Sequence, residues 1–288
     1  MENDALIVLN YNRTVLISKI IKNISSFKDM PHLFIVDNNS DEKNLYDLKK
    51  LEKDNQSERI HFIYNNVNLG YAKGNNVALN KIEEYMNCKH VFIMNPDIIL
   101  KDGILERIDE FLDETKNVGA VSIAHLDDRL EFSEMQGWMI PDYSIELKKS
   151  FILGRKSYYK KQPIKFDKEV NKIDAIAGSF FGLNYNTFKE LGFFDPNTFL
   201  YYEENILGFK IKKAHLQSYI LNYEINPIHN HKESSTSKVK FRINWKYYND
   251  SRKYYCERYL KIKGFKKFIL NLSIIFSRIE GFFMSLFK

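Results

Sequence analysis

Asp97 closes the run Val91-Phe92-Ile93-Met94-Asn95-Pro96-Asp97, in which an apolar strand pattern stops at a carboxylate. A carboxylate at the C-terminal tip of a strand stands where open α/β sheets bind ligands and metal ions. Two earlier runs repeat the arrangement: Leu6-Ile7-Val8-Leu9 leads into Asn10-Tyr11-Asn12, and Leu33-Phe34-Ile35-Val36 leads into Asp37-Asn38-Asn39-Ser40. Three strands delivering polar tips to one edge describe a site. Further along, Glu203 and Glu204 follow Tyr201 and Tyr202. Adjacent carboxylates beside rings can raise a pKa through desolvation and like-charge repulsion, which suits a general base. His229 and His231 alternate along an apparent strand end, so at most one readily faces such a site. Gly70 and Gly74 flank Tyr71-Ala72-Lys73 where a loop enters a helix. Glycine there serves either turn and packing chemistry or close backbone approach to a nucleotide beside helix N-terminal amides. Plain structural roles compete elsewhere too, with Asp97 as a cap and Asn10 and Asn12 as turn formers.

The elements that must position these residues follow from hydrophobic period. Short β-rich runs near 5–9, 32–36, 59–64, 90–95 and 118–123 alternate with helical patterns near 13–27, 41–54, 71–86 and 102–113. That rhythm predicts βαβ units, a mainly parallel sheet flanked by helices, and so an α/β class. Residues 126–172 lose period and gain charge, as an irregular excursion carrying Trp138 over the sheet edge. Regular patterning resumes at 173–183, with helices near 184–191 and 204–214 and strands near 217–221 and 225–229.

Asn10-Tyr11-Asn12, Val36-Asp37-Asn38-Asn39-Ser40, Asn68-Leu69-Gly70-Tyr71-Ala72-Lys73-Gly74-Asn75-Asn76, Asn95-Pro96-Asp97, Phe199-Leu200-Tyr201-Tyr202-Glu203-Glu204 and His229-Asn230-His231 come in a telling order. By them the chain resembles an inverting glycosyltransferase of family 2 with the GT-A (Rossmann-like) fold, in the branch that holds rhamnosyl- and galactofuranosyltransferases. The resemblance spans residues 5–235 and implies a UDP- or dTDP-hexose donor, dTDP-rhamnose first among them, and a lipid-linked glycan acceptor in surface polysaccharide synthesis. It implies that Asp37 accepts the N3–H of the pyrimidine, with Asn10 and Asn12 flanking base or ribose. Asn39, Asn68, Gly70, Lys73, Gly74, Asn75 and Asn95 complete the implied donor site. Asp97 becomes the ligand of Mn²⁺ or Mg²⁺, and His231, followed by Ser234-Ser235, a contact to metal or diphosphate. Glu204 becomes the base with Glu203 as its reserve, and Trp138 and Tyr202 stand on the acceptor side. Three departures stand out: a single carboxylate in Asn95-Pro96-Asp97 where Asp-x-Asp is more frequent, a Glu-Glu pair where Glu-Asp is usual, and Asn205-Ile206 where Val-Asp is usual. A catalytically silent sugar-binding or assembly subunit is the rival they suggest.

Charge divides the chain. Its net +6 is uneven, since residues 238–288 hold thirteen Lys/Arg against Asp250, Glu257 and Glu280, a balance of +10 that leaves −4 for residues 1–237. The expected organisation is therefore a catalytic domain over 1–237, with nucleotide-sugar and acceptor parts meeting near residue 125, and a basic helical tail over 238–288. On a helix from Phe268 to Phe287 the apolar residues gather on one Phe-rich face beside Lys261, Lys263, Lys266 and Lys267, the pattern of an interfacial helix on anionic lipid. Packing on the catalytic domain, or on a second subunit in a homodimer, is the alternative. Nucleic acid is not expected, because no helix-turn-helix, zinc module or RNA-binding signature accompanies the basic residues. Cys88 and Cys256 have neither metal spacing nor a disulfide framework, which suits a reducing compartment. With no signal pattern before the first strand and no uninterrupted apolar run of about 18 residues, the expectation is a cytoplasmic protein, peripheral on the inner face of the cell membrane.

Overall fold

The computed structural model describes residues 1–133, 135–160, 164, 168–230 and 238–286. The first half runs β1 (Asp4–Asn10), α1 (Thr14–Ile24), β2 (His32–Asp37), α2 (Glu42–Asp54), β3 (Ile60–Tyr64), α3 (Gly70–Lys81), β4 (His90–Met94), β5 (Ile98–Ile99), α4 (Ile104–Glu114) and β6 (Val118–Ile123). The excursion that follows is more regular than its composition suggests, holding β7 (Gly137–Trp138), α5 (Tyr143–Lys148) and α6 (Ile152–Lys160). The apolar run 173–183 is divided among β8 (Val170–Ile173), β9 (Ala175–Ile176) and β10 (Phe180–Asn184). The chain continues through α7 (Tyr185–Glu190), α8 (Glu203–Lys213), β11 (Gln217–Leu221), β12 (Ile228–His229), α9 (Lys238–Arg258) and α10 (Gly264–Leu286).

Eight strands form one sheet in the order β3-β2-β1-β4-β10-β6-β11-β8. Among them β10 and β8 run against their neighbours, so the sheet is mainly parallel, in agreement with the βαβ rhythm. Period two sorts the side chains of the central strands onto opposite faces. Ala5, Ile7, Phe34, Val36, Val91 and Ile93 join one buried cluster, with Ala72 and Leu79 of α3 and Leu207 and Ile211 of α8. Leu6, Val8, Leu33, Ile35, Phe92 and Met94 join the other, with Ile17, Ile20 and Ile24 of α1 and Ile104 and Ile108 of α4. Both faces being covered, the polar groups that end the strands collect at the sheet's edge.

Two features depart from the sequence reading. The second strand expected near 225–229 does not enter the main sheet; β12 pairs antiparallel with β5, directly after Asp97, placing His229 opposite Ile98. The tail is also no separate appendage. A third buried cluster joins Tyr202 and Ile206 to Tyr255 and Cys256 of α9 and to Leu270 and Ile274 of α10. The division at residue 237 is thus one of charge, not of packing. By length and composition α10 is long and apolar enough to cross a membrane; counting uninterrupted apolar runs overlooks it because Ser273, Ser277 and Arg278 break the sequence.

Candidate active site

The tips of β1 and β2 are clasped together. Asn10 is fully buried, and its Nδ2 donates to Asp37 Oδ1 at 2.8 Å and to Ser40 Oγ at 3.3 Å. Ser40 Oγ donates to Asp37 Oδ1 at 2.6 Å and its N–H to Oδ2 at 3.0 Å. Three of the roughly four acceptor positions of that carboxylate are therefore filled from within. Asn12 and Asn39 hold the turns at φ of 56° and 64°, a region asparagine enters more easily than most residues. Asn12 closes on the second strand, its N–H on Ser40 Oγ at 2.8 Å and its Oδ1 accepting from the Asp41 N–H at 2.7 Å; the Asn39 side chain is exposed.

Asn38, which the sequence reading passed over, organises the next loop. Its Nδ2 donates to Asn68 Oδ1 at 2.9 Å and to Gly70 O at 3.1 Å, while its Oδ1 accepts from the Leu69 N–H at 3.0 Å. Gly70 sits at φ +77°, and a Cβ there would stand 2.1 Å from Phe199 O. The Tyr71 N–H donates to that same carbonyl at 2.9 Å. A Cβ on Gly74 would meet Leu9 Cδ1 at 2.7 Å. Both glycines therefore serve close packing of protein on protein, the first of the two roles offered above. Lys73 is exposed one turn along, whereas Asn75 is buried, its Nδ2 donating to Tyr71 O at 3.0 Å.

Asp97 follows β4 in a tight turn, with the Ile98 N–H on Asn95 O at 3.2 Å. Asn95 is anchored to the loop before β10, its N–H donating to Ser179 O at 2.8 Å. Across the β5–β12 pair, the Asn230 N–H donates to Asp97 O at 2.9 Å, and His229 Nε2 lies 3.5 Å from Asp97 Oδ1. His125 packs edge-on against the His229 ring at 5.4 Å. His231 lies outside the described residues; among the described residues the imidazole at Asp97 is that of His229. A carboxylate oxygen and a ring nitrogen at that separation suit a shared divalent ion, whose adjacent ligands at bonds of about 2.1 Å stand roughly 3 Å apart. Asp97 and His229 would hold such an ion from the protein side.

A second His/Asp group, Asp4, His90 and Asp109, has ligand atoms within 4.8 Å of one another. It lies at the other end of the sheet, where β1 and β4 begin. His90 Nδ1 is hydrogen-bonded to Asp109, the His90 N–H donates to Asp4 Oδ1 at 3.1 Å, and Lys89 pairs with Asp109 at 3.7 Å. With the ring nitrogen engaged and a cation alongside, this cluster is a buried polar strut.

The acid pair opens α8. Tyr201 and Tyr202 both take left-handed backbone, φ 70° and 71°, and this double turn delivers Glu203 and Glu204. Glu203 is 4% exposed; burial, and next the charge of Glu204, push its carboxyl well above the ordinary range. Glu204 is half-buried and raised by burial, against the opposing pull of the Gly178 N–H and the charge of Lys149. Its Oε1 accepts from the Gly178 N–H at 3.3 Å, and Tyr71 Oη donates to Gly178 O at 2.6 Å. Gly178 and Ser179 thus tie Glu204 to Asn95 and the Asp97 turn, so the candidate base and the candidate metal ligand share one scaffold.

Two acceptor-side expectations need correction. Tyr202 is 2% exposed, and its hydroxyl donates to Glu146 Oε2 at 2.7 Å. Trp138 is 6% exposed, its indole N–H donating to Asn205 Oδ1 at 2.7 Å. Both rings are interior because each polar tip finds a buried partner from a distant element. Tyr201 is the ring left partly open beside the acids, where burial and then Glu203 and Glu204 raise its hydroxyl pKa. Behind Tyr202 lies a network the sequence did not reveal. Lys149, fully buried, donates to Glu146 Oε1 at 2.9 Å and to Tyr202 Oη at 3.2 Å, with its Nζ 4.8 Å from the Tyr202 ring centroid. Burial is the largest influence and opposes its charge, but Glu146, Tyr248 and Tyr159 together outweigh it and the lysine pKa ends raised. The i,i+3 spacing places Glu146 of α5 and Lys149, just past its end, on one face; nothing in it says that the face is buried. The departures at 205 and 206 also find a reason: Asn205 accepts the Trp138 indole, and Ile206, fully buried, faces the tail cluster.

A family model described as glycosyl transferase family 2 matches residues 5–192. No curated protein matches the chain in sequence. Among solved structures, GalNAc-T7 with UDP, GalNAc and Mn²⁺ superposes with a TM-score of 0.59 at 12% identity, covering 100% of this chain and 56% of that one. The mannosyltransferase PcManGT from Pyrobaculum calidifontis, in complex with GDP-Man and Mn²⁺, gives 0.59 at 14% identity over 99% and 73% of the two chains. TarS from S. aureus gives 0.53 at 13% identity over 90% and 40%. This chain spans just over half the length of the GalNAc-T7 chain. At such identities the likeness is one of fold, a GT-A architecture.

Proposed function

The chain belongs to glycosyl transferase family 2, and from that premise we propose that it transfers a hexose, rhamnose foremost, from a UDP- or dTDP-sugar to a lipid-linked glycan acceptor with inversion at the anomeric carbon. The observation that carries this reading is the half-buried Glu204, joined through Gly178 and Ser179 to the Asp97–His229 corner. Glu204 takes the proton of an acceptor hydroxyl as that oxygen attacks the anomeric carbon. The bond from that carbon to the diphosphate oxygen breaks on the opposite face. A divalent ion held by Asp97 and His229, Mn²⁺ or Mg²⁺, would neutralise charge on the departing nucleoside diphosphate. Asp37, with one acceptor position left, suits the imide N–H of uracil or thymine at the edge of the clasp. Tyr201 replaces Tyr202 and Trp138 as the ring beside the acceptor. The basic tail with its exposed Phe residues supports work at the inner face of the cell membrane, as a peripheral protein, in capsule or O-antigen type synthesis.

The test is turnover of a panel of UDP- and dTDP-hexoses with acceptor glycolipid and Mn²⁺, reading nucleoside diphosphate release and the anomeric configuration of the product by NMR. Release with inverted product is expected. Nucleotide binding without release would make the protein a silent sugar-binding relative, and a retained configuration would remove the single-displacement mechanism.

A further inference from the structure

Helix α10 is amphipathic in an inside-out sense. Toward α9 it buries Leu270, Ser273, Ile274, Ser277, Gly281 and Ser285, a face made mostly of small residues. A Cβ on Gly281 would stand 2.4 Å from Trp245 Cδ1, so the two helices touch closely. Trp245 Nε1 donates to Ser277 O at 2.7 Å and Arg242 Nε to Ser285 Oγ at 2.7 Å. Outward it turns Phe265, Phe268, Ile275, Phe276, Phe282 and Phe283, each between 49% and 75% exposed. At 3.6 residues per turn these fall in one stripe about 120° wide, opposite the packed face. Packing on the catalytic domain therefore does not cover the stripe.

Beside the stripe, between α9 and α10, lies a groove of about 290 Å³ lined by Arg242, Trp245, Lys246, Arg278, Gly281 and Phe282. The Arg242 guanidinium stands 4.6 Å over the Phe282 ring, and Arg278 pairs with Asp250 at 2.7 Å. Three cations against that one carboxylate leave the groove positive. The lysines flanking the helix start turn the other way: Lys267 pairs with Glu257 at 3.2 Å, and Lys266 lies 5.5 Å from the Tyr143 ring. With Lys266 and Lys267 so engaged, this groove is a further cationic site beside the apolar stripe, in addition to the exposed Lys261 and Lys263 of the cluster singled out in the sequence.

We infer that α10 lies flat at the surface of an anionic membrane, its Phe stripe among the acyl chains and a phospholipid headgroup phosphate seated in the Arg242–Lys246–Arg278 groove. The inference deepens the membrane reading above and rests on it. An interfacial helix sinks its apolar face roughly 5–10 Å, and a helix with its side chains is about 10–12 Å across. The groove on its flank then comes level with the phosphates. A spanning orientation would carry α9, packed on the other face and rich in Lys and Arg, into the acyl region, which is costly. A second copy packed tail to tail would bring thirteen basic residues against three acidic ones to the groove, which disfavours that occupant.

The test is co-sedimentation of the full chain with vesicles of phosphatidylcholine alone or mixed with phosphatidylglycerol, at low and high salt. The intact protein should bind the mixed vesicles more tightly and lose most of that preference in high salt. Arg242→Gln with Lys246→Gln should weaken binding to anionic vesicles by roughly 30-fold, at about fivefold for each basic group, while Lys50→Gln with Lys53→Gln on α2 should not. Phe276→Asp with Phe283→Asp should abolish binding to both vesicles with the melting temperature unchanged. Should the glutamine pair leave anionic binding untouched while the aspartate pair abolishes it, the headgroup seat is wrong and the membrane reading stands. Should the intact protein bind no vesicle, or the aspartate pair instead split a dimer measured by light scattering, both are wrong.

Discussion

Glu146 and Glu203 lie out of water on either side of the same helix start, and they keep opposite company. Glu146 is fully buried with Lys149 and the Tyr202 hydroxyl on its oxygens. Glu203 is nearly as buried, yet its Oε2 has no hydrogen-bond partner among the described residues, and its nearest charge is another carboxylate, Glu204. A buried acid matched to a cation acts as a strut; one set beside a like charge is pushed toward its protonated form. Both carboxyls are raised by burial, Glu203 further by the charge of its neighbour, while Glu204 points at the Gly178 N–H. Nearly equal burial thus leaves a matched ion pair on one side of Tyr202 and an unmatched acid pair on the other.

That contrast can be broken in four places. Glu204→Gln should lower turnover by roughly 10²- to 10⁴-fold with donor affinity nearly unchanged. If Glu203→Gln is the crippling change and Glu204→Gln is mild, the two members of the pair exchange roles. Lys149→Met should cost about 3–5 kcal/mol of stability, because it strands the Glu146 charge. Glu146→Gln combined with Lys149→Met should recover a large part of it, and an unmoved denaturation midpoint in the single variant would show that the pair is no strut. Asp97→Ala should remove the Mn²⁺-dependent part of donor affinity in calorimetry while the melting temperature stays put. Undiminished Mn²⁺-dependent binding would take Asp97 out of the site.

The smallest expected effect is on stability against pH. A carboxyl whose pKa is raised by folding binds more protons in the native state. Its contribution to stability is full below the unfolded value, about 4.3 for glutamate, and is lost as pH rises through the folded value. The native protein should therefore lose stability on going from acid toward neutral pH through Glu203. Glu203→Gln should flatten that slope and stabilise the fold at pH 7 by about 0.5–2 kcal/mol. An identical slope in urea titrations of the two proteins would mean that Glu203 is ionised throughout.

Much of the first half was legible because its signals are local. Period two in β1, β2 and β4 places their apolar residues on both faces of a covered sheet, and parallel pairing such as Asn10 opposite Asp37 brings the tips to one edge. The acceptor side was less legible. Trp138 and Tyr202 read as ligand-facing aromatics, but their direction depends on Asn205 and Glu146, which lie 67 and 56 residues away in sequence. His229 and His231 have the same alternation, and only the β5–β12 pairing puts the first of them at Asp97. Gly70 and Gly74 read as turn or loop glycines, and only the fold shows Phe199 and Leu9 packed against them.

By itself the sequence determined the α/β class, the strand tips that carry Asp37 and Asp97, the acid pair at 203–204 and the amphipathic character of the tail. These follow from hydrophobic period and residue chemistry within a few neighbours. Only the tertiary structure decided which side chains turn inward: the Lys149–Glu146–Tyr202 strut, the asymmetric burial of Glu203 and Glu204, and the outward turn of the Phe face of α10. The physical reason is that period assigns a residue to a face, whereas the solvation of that face, and with it the charge and role of the residue, depends on elements that arrive from far along the chain.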